Sequence, residues 1–338
     1  MSKRNAVLAG VEGAALVWSL SRGESFKEKS VLITGGSKGL GLLLARRFAA
    51  EGARLTLLAR DETELERAAA GLRSHYKVDV LTVPCDVRER EQVREAVRRV
   101  LERFGRIDVL VNNAGVIQAG PVAHMDVQDF ENAMNIHFWG PLYTMLETVP
   151  HMKTQGGGRI VNIASIGGKV AVPHLVPYSA SKFALVGLSD GLRAELAQDN
   201  IKLTTVCPWL IRTGSYLNVQ LKGQHEKELV WFAAADSLPG VSMSAEKAAR
   251  DIVEACRNGR AQLVTGAQGK LAAGVNALFP EFTAQLLKLT TRLLPGENPK
   301  DGNTLQTGWE SRSPLAPSLL TTLSDRAARR NNEGRPRG

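Results

Sequence analysis

Ser30-Val31-Leu32-Ile33-Thr34-Gly35-Gly36-Ser37-Lys38-Gly39-Leu40-Gly41 is the stretch on which the fold turns. Five residues that suit a buried strand run straight into glycines, and helical spacing takes over from Leu42 to Glu51. Glycines at such a junction let the backbone turn tightly and let a diphosphate approach the N–H groups that open a helix. The rhythm repeats downstream, with strands at 54–59, 78–84 and 107–112 and helices at 61–73 and 88–104 between them. Strands alternating with helices of this length predict an α/β fold built on a doubly wound parallel sheet, covered on both faces. The ligand crevice of such a sheet lies at the carboxyl ends of the strands, where strand order reverses.

Within the loop, Gly35, Ser37, Lys38, Gly39 and Gly41 are the candidates for contact with a dinucleotide. Where an Asp or Glu would accept the 2′-hydroxyl of NAD, at the end of the second strand, this chain has Ala59 and Arg60. A carboxylate there would repel a 2′-phosphate, whereas an arginine pairs with one and stacks on adenine. Lys38 and Arg60 therefore predict NADP(H) in preference to NAD(H).

Composition bounds the rest. The chain has 338 residues, 43% of them hydrophobic, a formal charge of +9 and only three cysteines. Cys85, Cys207 and Cys256 are widely spaced, so neither a disulfide framework nor a metal site is expected, and a reducing compartment suits them. His225-Glu226 begins like a zinc-protease motif, but Leu229 stands where its second histidine would be. The basic balance permits phosphate-bearing ligands or anionic lipid. Without an aromatic-and-basic recognition motif, no nucleic acid is expected as partner.

Further along, Asn112-Asn113-Ala114-Gly115 ends the fourth strand. A long helical segment over 127–153 contains Asn135 and Gly140, both poor in helix interiors, so a local break is expected near Asn135. A strand over 159–164 ends at Ser165, and a loop rich in Gly and Pro delivers the chain to Tyr178-Ser179-Ala180-Ser181-Lys182. A tyrosine and a lysine four apart share one helix face. Bringing a phenol of pKa about 10 into neutral range needs about 4 kcal/mol. One cation about 4 Å away supplies roughly that amount at an effective dielectric of about 20. On this reading Lys182 alone makes Tyr178 a usable proton carrier.

Taken together, Thr34-Gly35-x-x-x-Gly39-x-Gly41, Asp86, Asn112-Asn113-Ala114-Gly115, Asn135, Ser165 and Tyr178-x-x-x-Lys182 resemble the short-chain dehydrogenase/reductase family, classical type, over residues 29 to 265. The resemblance implies a Rossmann-type sheet and hydride transfer between a nicotinamide cofactor and a carbonyl or alcohol. It implies Tyr178 as general acid/base, Ser165 holding the reacting oxygen, Lys182 on the nicotinamide ribose, and Asn135 anchoring a water. For the cofactor it implies Asp86 near the adenine, Asn112 and Ala114 along the adenosine half, and Thr213 near the carboxamide. The family often has Pro-Gly after the sixth strand, where this chain has Pro208-Trp209, a departure that bears on pocket size. Family habit implies a homo-oligomer, dimer or tetramer, pairing through the helices around 127–153 and 178–199.

The chain divides, on this reading, into an amphipathic extension (1–28), the dinucleotide-binding and catalytic domain (29–268), a helical extension (269–310) and a disordered basic tail (311–338). Residues 214–240 hold Tyr216, Leu217, Leu221, Trp231 and Phe232, which read as an apolar lid for a hydrophobic substrate or as side chains that only pack it down. Phe282, Leu286, Leu289 and Leu293 recur at helical spacing among Lys288 and Arg292, after a break at Pro280, and admit contact with a membrane surface. The expected activity is reduction or oxidation of a hydrophobic carbonyl or alcohol by a cytoplasmic enzyme, in contact with a membrane surface or not. The alternatives are a 3-oxoacyl thioester reductase of fatty-acid metabolism and a nucleotide-binding protein without catalysis.

Overall fold

Every residue of β1 (Ser30–Thr34) is buried, which demands cover on both faces of its sheet and neighbours along both edges. In the computed structural model, which describes residues 24–237, 241–313 and 321–334, it has both. β2 (Arg54–Ala59), β3 (Val80–Pro84), β4 (Val109–Asn112), β5 (Gly158–Ile163), β6 (Ile201–Cys207) and β7 (Gln262–Val264) complete a seven-stranded sheet. Its order is β7-β6-β5-β4-β1-β2-β3, every pairing parallel. The helices in chain order are α1 (Gly39–Ala50), α2 (Glu62–Tyr76), α3 (Arg90–Phe104), α4 (Val127–Met134), α5 (Gly140–Thr154), α6 (Val176–Leu196), α7 (His225–Ser237), α8 (Ala245–Arg257), α9 (Ala267–Leu278), α10 (Pro280–Thr291) and α11 (Thr322–Arg330). One core packs α1, α2 and α8 on the sheet; a second packs α3, α5 and α6 on its other face. Each fully buried Val, Leu or Ile in these layers contributes about 1.5–3 kcal/mol. The predicted doubly wound sheet is the one found, and its order reverses between β1 and β4, at the tips of which lie the glycine loop and Asn113-Ala114-Gly115.

Local chemistry sets the element ends. Asp61 caps α2 by accepting the Glu64 N–H at 2.8 Å. Gly105, in the left-handed region at φ +73°, stops α3. The break expected near Asn135 is a five-residue π turn, Asn135–Trp139, in which the Gly140 N–H reaches back to the Asn135 carbonyl. Such turns offset the helix face and recur at functional sites.

Outside the sheet, the sequence and the structure diverge more. The amphipathic extension expected over 1–28 falls largely outside the described residues; near its end, Phe26 is buried on Phe48 with ring centroids 4.9 Å apart. Tyr216, Leu217, Leu221 and Phe232 of the expected lid are buried together in a small core of their own, so these side chains pack the segment down and do not line an opening. α9 and α10 are the two helices expected around Pro280, which opens the second one. The expectation of disorder from residue 311 is wrong for residues 321–334. Ser324, Ala327, Ala328 and Asn331 are buried, and α11 lies against α7. Arginine-rich composition hid an alanine- and serine-lined face that only a partner surface reveals.

Candidate active site

Three sequence-predicted residues converge at the tip of β5. Ser165 follows that strand, and its hydroxyl accepts the Gly167 N–H at 3.0 Å and pairs with the Tyr178 hydroxyl. α6 carries Tyr178 and Lys182 on one face, with the Lys182 ammonium 5.7 Å from the centre of the tyrosine ring. The buried Lys182 Nζ donates to the Ile163 carbonyl at 2.9 Å. Asn135 lies at the junction of α4 and the π turn, its carbonyl bound within that turn.

The electrostatics correct the simple arithmetic of a tyrosine beside a cation. Burial pushes the Tyr178 phenol up to about 12 despite the hydrogen bond from Ser165, and pushes the Lys182 ammonium down to about 7. Desolvation penalises both charged forms, and here it outweighs their attraction. Tyr178 is accordingly held as the neutral phenol, the form that can give a proton.

His137, on the π turn, is the residue that sequence reading missed. It is buried with its ring edge-on to Tyr178 at 5.4 Å between centroids. Its Nε2 accepts the Val116 N–H at 3.2 Å, so the proton sits on Nδ1, which donates to the Ser181 hydroxyl at 2.8 Å. Ser181 in turn donates to the Tyr178 carbonyl at 2.8 Å. Burial and the neighbouring Lys182 hold the imidazole well below its usual range, hence neutral. The chain of bonds ties the loop after β4 to the first turn of α6. A five-residue helical repeat was needed to turn His137 inward, and no helical periodicity signals it.

The glycine loop fits a dinucleotide. A methyl group on Gly41 would lie 2.0 Å from the Gly35 carbonyl oxygen, so α1 starts directly against the turn. Lys38 supplies no side-chain cap and no acid occupies the first turn, a donor set that suits an anion. Asn113, given no role of its own from the sequence, braces this loop: its amide donates to the carbonyls of Thr34 and Gly35, both at 3.1 Å. The Ala114 N–H reaches Thr34 Oγ1 at 3.0 Å, and a methyl on Gly115 would stand 3.7 Å from Lys182 Nζ, so the loop after β4 spans the distance between turn and catalytic cluster.

Not every expected cofactor contact faces the groove. Asn112 is buried, its amide donating to Asn162 and accepting from Thr144, so its side chain serves the interior. Ser37 and Lys38 both bind the Glu64 carboxylate, at 3.3 and 3.2 Å. Arg60 is exposed, and neither a hydrogen bond nor an ion pair holds its guanidinium among the described residues. Asp86, at the end of β3, is engaged by Arg88, which holds its carboxyl below the usual range despite burial; Arg60 adds to this. Thr213 is buried and its hydroxyl accepts the Ser215 N–H at 3.2 Å. Trp209 bonds through its indole N–H to the Val241 carbonyl at 2.6 Å and packs on Gly269.

Comparison with known proteins agrees with this geometry. A family model described as short chain dehydrogenase matches residues 29–222. A dehydrogenase/reductase SDR family protein 7-like of Drosophila melanogaster is 34% identical over 276 residues, spanning 79% of this chain and 82% of that protein. A protein of Streptomyces violaceoruber named as a ketoacyl reductase of granaticin polyketide synthase is 40% identical over 185 residues, 54% of this chain and 67% of that protein. Among solved structures, L-sorbose reductase from Gluconobacter frateurii, complexed with NADPH and L-sorbose, superposes with a TM-score of 0.65 and 29% identity, covering 72% of this chain and 97% of that one. With the parallel sheet order in agreement, the chain belongs to the short-chain dehydrogenase family, oxidoreductases acting on CH–OH and C=O groups.

Proposed function

We propose that this protein is an NADP(H)-dependent reductase of a hydrophobic ketone or aldehyde, able to run in reverse as an alcohol dehydrogenase. The observation that carries the reading is the meeting of Ser165, Tyr178 and Lys182 at the carboxyl end of β5, beside the glycine loop. The nicotinamide, when bound, supplies or takes up the hydride. Tyr178 gives its phenolic proton to the substrate oxygen, a role for which its protonated state is suited. Ser165 hydrogen-bonds that oxygen and holds it in place. Lys182 binds the ribose hydroxyls beside Tyr178, and Asn135 anchors a water that leads from Lys182 to solvent. Gly35, Gly39, Gly41 and Ala114 shape the dinucleotide path by their backbone, and Thr213 meets the carboxamide end.

Preference for NADP(H) rests chiefly on Arg60, because Lys38 is already shared with Glu64. Val116, Ile117 and Leu175, all half-buried on the two loops that border Tyr178, support an apolar substrate. A second reading, reduction of a 3-oxoacyl thioester, draws on the likeness to the named ketoacyl reductase. Oxidation of NADPH against a panel of ketones, aldehydes and 3-oxoacyl thioesters separates the two, and no turnover with any carbonyl would leave only a nucleotide-binding role.

We place the protein in the cytoplasm as a homo-oligomer. Exposed Val127, Trp139 and Leu146 on one helical run and Val176 and Phe183 on the other offer the apolar face for pairing. Light scattering of Phe183→Asp against wild type tests this. No helix among the described residues is long and apolar enough to cross a membrane. Leu271, Leu278, Phe279, Phe282, Leu286, Leu289 and Leu293 on and beside α9 and α10 are 50–85% exposed, with Lys270, Lys288 and Arg292 among them. That combination suits the surface of an anionic bilayer. Sedimentation with phosphatidylserine vesicles tests it; failure to co-sediment at low salt ends the idea.

A further inference from the structure

The glycine loop is met by a segment from the far end of the chain. The Gly39 N–H at the start of α1 donates to the Asn331 carbonyl at 2.8 Å, and the Asn332 amide donates to the Ser37 carbonyl at 3.3 Å. A methyl group on Gly39 would lie 2.7 Å from Glu333 Oε1. The same carboxyl is hydrogen-bonded by Thr213, so it lies between the loop and the residue assigned to the carboxamide end. That is the path a dinucleotide takes across the carboxyl ends of the strands.

The segment is seated as a unit. Arg46 of α1 donates to the Arg330 carbonyl at 2.9 Å and to Asn331 Oδ1 at 3.3 Å. Tyr216 binds Asp325, and the hydroxyls of Ser237 and Ser324 are 2.9 Å apart. Ala328 packs so closely on Gly214 that a methyl there would stand 2.3 Å from the Ala328 Cβ. After α11, Asn332 turns into the left-handed region at φ +58° and the Glu333 N–H returns to the Ala328 carbonyl at 2.9 Å. This closure fixes the carboxylate relative to the helix. Yet the seat is imperfect. Glu333 Oε2, Asn331 Nδ2 and Asp236 Oδ2 are buried with no hydrogen-bond partner among the described residues. Buried polar atoms without partners weaken the docked state and favour an exchangeable occupant.

We propose that residues 321–334 are an autoinhibitory occupant of the cofactor groove, with the Glu333 carboxyl standing at the glycine loop in place of the cofactor's phosphates, so that tail docking and dinucleotide binding exclude one another. The inference rests on the groove being the dinucleotide site. The Gly39 N–H, one of the groups that would meet a phosphate at the opening of α1, is taken by the Asn331 carbonyl, and the Glu333 carboxyl fills the space beside it. Burial pushes Glu333 up to about 8, so the docked carboxyl carries a proton over much of the neutral range and is displaced more readily as it ionises.

Two variants of the full chain test the proposal by NADP+ and NAD+ titration. Ala328→Arg leaves no room for α11 against Gly214 and frees the tail without touching the sheet. A tail docked about 90% of the time weakens apparent affinity tenfold, so this variant binds NADP+ about tenfold more tightly than wild type. Ser237→Cys with Ser324→Cys places two sulfurs where a disulfide can close, while Cys85, Cys207 and Cys256 are buried. Oxidised, this protein binds NADP+ at least tenfold more weakly than after reduction with dithiothreitol. Hydrogen exchange across 322–334 in wild type rises on saturation with NADP+. Equal affinity of Ala328→Arg and wild type, equal affinity of the oxidised and reduced double variant, or unchanged exchange overturns the proposal and leaves the cofactor reading standing. Failure of every form to bind either dinucleotide overturns the cofactor reading and the proposal with it.

Discussion

The two ends of the groove are built on opposite plans. At the proposed catalytic end, Ser165, Tyr178 and Lys182 come from the tip of β5 and the helix that follows it, and each has a hydrogen bond to a neighbour there. At the phosphate end the glycine loop is braced by Asn113 but also covered by a helix nearly 300 residues away in sequence, with buried oxygens left unpaired. A satisfied site is rigid and holds one geometry; an unsatisfied contact stores the means of its own release. The difference teaches that the chemistry is preorganised while access to it is negotiable.

The strongest challenge to the catalytic half is Tyr178→Phe. Removing the proton donor is expected to cut NADPH-dependent turnover by roughly 10²–10⁴-fold while leaving cofactor affinity unchanged, read by steady-state kinetics with a fluorescence titration alongside. Loss of both together would mean that Tyr178 supports the groove and not the chemistry.

Arg60→Asp attacks the cofactor end next. Placing a carboxylate where the proposed 2′-phosphate would sit is expected to raise the KM for NADPH about 10- to 100-fold and to spare NADH, given that a charge-assisted contact of about 1.5–3 kcal/mol is exchanged for repulsion. Equal changes for the two cofactors would remove Arg60 from the site.

His137→Phe sharpens the comparison by loosening the preorganised end. The ring volume stays, but the bonds to Val116 and Ser181 go. A loss of about 1–2 kcal/mol in the hold on the first turn of α6 predicts a roughly tenfold fall in kcat with KM for NADPH unchanged. His137→Gln, which can restore one bond, recovers part of it. A fall in thermal stability without a change in kcat would make the residue merely structural.

The smallest expected effect is a pH dependence of cofactor affinity. Glu333 is raised to about 8 by burial, then by Asp236 and Glu64, with Lys38 and the Thr213 hydroxyl opposing, and Asp236 is itself raised to about 7 by burial against Arg212. A carboxyl with a raised pKa when docked holds more protons docked than free, so docking weakens as pH rises from the free value through about 8. NADP+ affinity is therefore expected to climb several-fold between pH 6 and 8.5, up to tenfold per unit for one proton. Glu333→Gln, neutral at any pH, is expected to stay docked and show a flat, weak affinity; a wild-type profile identical to that of Glu333→Gln would deny the carboxyl any part.

What could be read without coordinates follows from how far each feature reaches along the chain. The strand–glycine–helix unit, the break near Asn135 and the tyrosine–lysine spacing are written within a few residues of themselves, because backbone geometry and side-chain periodicity are local. The direction of the Asn112 side chain was not legible because a strand-tip asparagine reads alike whether its amide turns to the groove or to Asn162. Lys182 was overvalued because charge separation can be guessed from spacing, whereas desolvation depends on everything packed around the pair.

Alternation of apolar runs and glycines by itself determined a parallel sheet with a crevice at its carboxyl edge, since no other arrangement buries those strands and still feeds their helices. Only the tertiary structure decided that His137 turns beneath Tyr178 and that an arginine-rich tail lies on the glycine loop. Both depend on surfaces that exist only after distant segments have packed, and the free energy of such contacts is a property of the pair, not of either sequence alone.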